Sequence, residues 1–95
     1  MQPTIAALAN AHTQVRIKEL RDYLVEILYK VGADNEAATL EGFMDLTLAE
    51  ADQCVRDVEQ SVVDAEFFLS NEEYETAAAY SAELGSEVVE IELEE

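Results

Sequence analysis

Ile17, Leu20, Leu24, Ile27 and Val31 recur at steps of 3, 4, 3 and 4, which is one stripe of an α-helix. Tyr23 and Leu28 widen the stripe. The pattern predicts a first helix near 4–31, with Thr4 as N-cap just after Pro3 and Gly32 as the stop. Its first turns, rich in Ala and holding Asn10, His12 and Thr13, carry a weaker pattern in which a helix frays or breaks. Gly32-Ala33-Asp34-Asn35 is the expected first loop.

The second segment is the most regular. Met44, Leu48, Ala51, Val55, Val58, Val62, Ala65 and Leu69 alternate steps of 4 and 3, a seam that supports knobs-into-holes contacts with another helix. Thr47, Cys54, Ser61 and Phe68 form a parallel column that would broaden the buried face. A long helix near 37–69 is the expectation, its seam serving an intramolecular bundle or a homodimer. Ser70 and Glu73 then read as a capping box opening a third helix, with acidic residues in its first turn to suit the helix dipole. Gly85 is its expected stop, giving a helix near 71–84. Beyond it Val89, Ile91 and Leu93 alternate with Glu90, Glu92 and Glu94, a strand-like period of two.

The fold class is therefore all-α: a single domain over 1–95, forming a small antiparallel bundle of three helices, one of them long, with an extended acidic tail over 86–95. Leu20, Leu24, Ile27, Leu48, Val55, Val58, Val62, Leu69, Ala77 and Leu84 are the expected inner residues. Asn71 to Ala77 resembles the second helix of a tetratricopeptide repeat. The likeness departs at Ser81 and has no second copy, whereas a solenoid needs several stacked repeats.

Charge changes the picture more than composition does. Nineteen of the 22 carboxylates lie from Asp34 onward, where Arg56 is the only Lys or Arg, and the chain as a whole carries a formal charge of -17. Residues 1–33 are slightly basic through Arg16, Lys18, Arg21 and Lys30. Such acidity argues against direct binding to nucleic acid or to anionic membranes. No run of 18 apolar residues predicts a membrane span, and Met1-Gln2-Pro3-Thr4 does not open like a signal peptide. One cysteine permits no internal disulfide and suits a reducing compartment, so a cytoplasmic location is expected.

Catalytic chemistry finds little to work with. His12 and Cys54 are the only residues of their kinds and sit in different segments, so neither a Cys–His pair nor a zinc site is expected. The acidic residues do not follow a calcium-loop pattern, no glycine-rich phosphate loop occurs, and no Glu-x-x-His motif suggests a di-metal bundle. No cofactor, metal or enzymatic activity is expected.

The acidic residues of the second helix keep heptad time instead. Asp45, Asp52, Glu59 and Glu66 form one column, and Glu50, Asp57 and Asp64 another. Together they average one carboxylate per roughly 5 Å of helix axis, the same order as the advance of about 3.4 Å per phosphate along the duplex axis on each DNA strand. These seven residues are the candidate partner-binding set. The expectation is a nucleic-acid mimic that binds a basic nucleic-acid-binding protein or complex and inhibits it. The surface chemistry is analogous to that used by phages and mobile elements against host restriction, CRISPR or transcription machinery. The alternative is a salt-adapted helical protein acting as a structural or adaptor subunit, since molar salt screens charge repulsion to within about 3 Å.

Overall fold

The computed structural model describes residues 2–94; Met1 and Glu95 lie outside the described residues. The all-α class holds, but the described residues form five α-helices rather than three. These are α1 (Ile5–Leu8), α2 (Ala11–Lys30), α3 (Asp34–Glu41), α4 (Leu48–Asp64) and α5 (Asn71–Glu94). Single 3₁₀ turns at Phe43–Asp45 and Glu66–Phe68 flank α4.

The expected first helix breaks at Ala9 and Asn10. Thr4 does cap α1, accepting from the Ala7 N–H, but Asn10 then opens α2 by accepting from the Thr13 N–H at 2.8 Å. Gln14 of α2 donates its side-chain amide to the Ala6 and Ala9 carbonyls, so the break is itself hydrogen-bonded. Gly32 ends the run after α2 in the left-handed region, with φ of 83°, where a side chain would be strained.

The expected long helix over 37–69 is divided at both ends. Gly42 closes α3, and a complete capping box starts α4. The Thr47 N–H donates to Glu50 Oε1 at 3.0 Å and the Glu50 N–H donates back to Thr47 Oγ1 at 3.4 Å. The backbone between them is engaged elsewhere: the Ile5 N–H donates to the Leu46 carbonyl at 2.8 Å, beside a lone antiparallel bridge between Thr4 and Thr47. A continuous helix would forfeit that tie. At the far end α4 stops at Asp64, and the chain turns through Glu66–Phe68 so that α5 can return along α4. Met44 and Leu69, the outer members of the heptad seam, thus lie beyond the helix.

The tail is the largest correction. α5 runs through Gly85 to Glu94, so residues 86–94 are helical rather than extended. Ala77, Ser81, Leu84, Val88 and Ile91, at steps of 4, 3, 4 and 3, are its buried stripe. Ser81 satisfies its buried hydroxyl by donating to the Ala78 carbonyl at 3.0 Å. Gly85 is not a stop but a point of close approach. A Cβ there would meet Val55 Cγ1 of α4 at 3.3 Å.

The four longer helices pack in a ring: α2 lies against α3 and α5, and α4 against α3 and α5. α1 covers one end beside the first 3₁₀ turn. The core holds Ile5, Ile17, Leu20, Leu24, Leu28, Leu40, Phe43, Val58, Val62, Leu84 and Val88, all essentially inaccessible. Of the expected inner residues, Leu48 and Leu69 are only partly buried. Tyr23 and Tyr80 meet edge to face across α2 and α5, ring centroids 4.9 Å apart.

Candidate acidic interaction surface

The seven candidate carboxylates do not share one continuous rod. Glu50, Asp52, Asp57, Glu59 and Asp64 lie on α4, while Asp45 and Glu66 sit in the two flanking 3₁₀ turns. At about 100° per residue the two columns on α4 lie roughly 150° apart, one on each flank of its buried stripe. Asp52 and Glu59 border a shallow groove shared with Gly85, Val89 and Glu90 of α5, about 680 Å³ in volume. On the other flank Asp57 lines a depression with Asn35, Glu36 and Thr39 of α3, and Asp64 lines one with Val31 and Ala33. Between the columns run Gln53, Arg56, Gln60 and Val63, all exposed and none of them acidic.

Local hydrogen bonds hold most of these carboxylates. Asp52 accepts from Arg56 Nε at 3.1 Å, Asp57 from Gln53 at 3.0 Å and Asp64 from Gln60 at 2.9 Å, each one helical turn apart. Glu50 is committed to the capping box, and the Thr47 N–H, followed by its hydroxyl, holds its carboxyl below the ordinary value. A charge held on a helix by a neighbour is ordered before any partner arrives.

A further acidic row was not legible as such in the sequence. Glu83, Glu87, Glu90 and Glu94 fall at steps of 4, 3 and 4 on one side of α5. Partial burial pushes the Glu87 carboxyl up, with Glu90 adding to it and Arg16 and His12 opposing. The strand-like alternation of the tail concealed this row; the spacing of Leu84, Val88 and Ile91 was the signal that would have found it.

Two of the four basic residues of α2 reach across to the acidic α5. Arg16 pairs with Glu83 near one end of the α2–α5 seam and Lys30 with Glu73 near the other. Lys30, followed by the Ser70 backbone N–H, holds Glu73 down to about 2. Arg21 pairs with Asp22 and Arg56 with Asp52, leaving Lys18 as the cation without an ion pair among the described residues.

Two phenylalanines stand apart from the expected pattern. Phe68 was to broaden the buried face, yet it is 76% exposed and Phe67 is 93% exposed. The turn after Asp64 carries both off the α4 stripe.

Cys54 is buried beside α3, and burial pushes its thiol up to about 11. His12 is exposed at the start of α2. Among the described residues no group of three or more His, Cys, Asp or Glu is placed to hold a metal ion, and no helix is long and apolar enough to cross a membrane. The chain matches no protein-family model, and no curated protein or solved structure shows significant similarity to it.

Proposed function

We propose that this protein is a non-enzymatic acidic interaction protein that occupies the basic surface of a nucleic-acid-binding partner in place of nucleic acid. The observation that carries the reading is the intramolecular use of two of α2's four cations. Arg16 and Lys30 are tied to α5, so the outer surfaces of α4 and α5 present carboxylates with Arg56 as the one cation of either helix. Helices fix those charges in advance, which reduces the ordering lost on docking, and a field of one sign steers association with a basic partner.

The two flanks of α4 give the test its form. A flat basic surface meets one column, whereas a channel encloses both. Asp52→Lys with Glu59→Lys reverses one flank, and Asp57→Lys with Asp64→Lys reverses the other. Each pair is assayed for competition with DNA on the basic protein retained from the source cell. Loss of competition on reversing either flank supports a channel, and loss on only one supports a flat face. If DNA binds the partner at full strength in the presence of the wild-type protein, mimicry is wrong.

A second reading, salt adaptation in a structural or adaptor subunit, draws on the spread of carboxylates over both flanks of α4 and along α5. It requires melting at low ionic strength and recovery in molar potassium chloride. A protein equally folded in both removes it.

A further inference from the structure

Phe67 and Phe68 are 93% and 76% exposed, and Val63, one turn earlier, is 53% exposed. No packing role within the fold accounts for them. Leu69 and Tyr74, the positions before and four after the Ser70 cap, pack against the core, as in a hydrophobic staple. The α4–α5 connection is therefore anchored without either phenylalanine.

That connection is also well held. The Phe68 N–H donates to the Ala65 carbonyl at 2.9 Å, and the Ala65 N–H donates to the Ser61 carbonyl at 3.0 Å. On the other side the Ser70 N–H donates to Glu73 Oε1 at 3.0 Å, the Glu73 N–H donates to Ser70 Oγ at 3.1 Å, and Glu73 is paired to Lys30. The two rings are thus presented from a short turn bracketed by two helix ends. Beside Phe68 a depression of about 180 Å³ extends the apolar surface to Val31, Ala33 and Ala65.

We infer that Phe67 and Phe68 are the anchor by which this protein docks into an apolar pocket edged by Lys and Arg on another protein. Paired exposed aromatics on a pre-formed turn are the kind of residue that dominates interface energetics when buried. The sign of the rim fixes the partner's chemistry. Asp64 lines the depression, Glu66 precedes the rings and Glu72 follows them, while Lys30, the cation at this end of the molecule, is already paired to Glu73. A symmetric pair of this chain would set that acidic rim against itself, so a second copy is the wrong occupant. The rim gives the sign of the partner's charge without the proposed function, and the inference does not require that the partner bind nucleic acid.

The test uses the full chain with a photo-crosslinking benzoylphenylalanine at position 67, irradiated in lysate of the source cell. The crosslinked protein is identified, purified and titrated with the unlabelled chain at 50 and 500 mM salt. Crosslinks are expected at an apolar pocket bordered by Lys or Arg. The Phe67→Ala, Phe68→Ala double variant should bind about 30-fold more weakly, or worse, at both salt concentrations. Its helical circular dichroism and melting should match wild type, since both side chains are exposed.

Unchanged affinity of that variant overturns the anchor, as does a crosslink that never forms. Sedimentation of the chain alone should show no dimer that the double variant removes; such a dimer would assign the patch to self-association. Flotation with phosphatidylcholine vesicles, lost in the double variant, would assign it to a lipid surface. A partner held through the rings yet still binding DNA leaves the anchor standing and removes mimicry. Competition with DNA that ignores the double variant does the reverse.

Discussion

Gly85 sits where α5 lies close against α4, and it carries no left-handed backbone requirement. Its value is the absent side chain, because a Cβ would lie 3.3 Å from Val55 Cγ1 and 3.6 Å from Glu59 Oε1. Alanine gains about 1 kcal/mol over glycine in an exposed helix interior. Here that gain is offset by crowding a stiff, buried valine. Gly85→Val forces α4 and α5 apart and should cost about 2 kcal/mol or more, read from the urea midpoint. A variant as stable as wild type would show that the seam has slack. In the sequence this glycine has the look of punctuation, because an isolated glycine near the end of a helical pattern is commonly a C-cap. What distinguishes the two uses is the facing helix, which no local window contains.

At the scale of elements, propensity and capping were legible and continuity was not. The Ser70–Glu73 box and the Gly32 stop were both expected from residue type and lie where expected. The leucine stripe of α2 and the valine stripe of α4 were likewise readable, since burial on one face needs only the 3.6 period. The division of 37–69 was not, because the heptad count that begins at Met44 passes undisturbed across Thr47 and Ala65. Nor was the tail, where glutamates at alternate positions imitate a strand while Val88 and Ile91 continue a helix. The candidate acidic set is affected in the same way, because the rod joining its residues presumes an unbroken helix that does not form. Ile91 separates the two readings of the tail. In an extended acidic arm its loss would matter little, whereas in α5 it is 3% exposed. Ile91→Ala should therefore destabilise the whole domain by about 2–4 kcal/mol in chemical denaturation.

For the whole molecule, charge repulsion and specific carboxylate contacts respond to pH in opposite directions. Glu87, raised by partial burial and by Glu90, binds its proton more readily folded than unfolded, so stability rises as pH falls through its raised value. Neutralising part of the net charge acts in the same sense. Glu73 is held down to about 2, so its contribution is complete above the unfolded value of 4.5 and is lost as pH falls from there toward 2. Glu50 follows the same sense through its capping box. The melting temperature is expected to rise as pH falls toward 4.5 and to fall below it. A Lys30→Met variant should flatten the acidic fall, because Glu73 then loses its leading partner. A profile that declines steadily from pH 8 would contradict this balance.

The seam between α2 and α5 has a kinetic consequence. Its ties join residues 67 and 43 positions apart in sequence, Arg16 to Glu83 and Lys30 to Glu73. Loop-closure entropy must be met before such distant contacts give anything back. As the chain leaves the ribosome, Leu20, Leu24 and Leu28 have formed their stripe long before Leu84, Val88 and Ile91 exist to cover it. Closing the ring then waits on α5, which follows the other four helices in the chain and shields the first long one from chaperones and proteases.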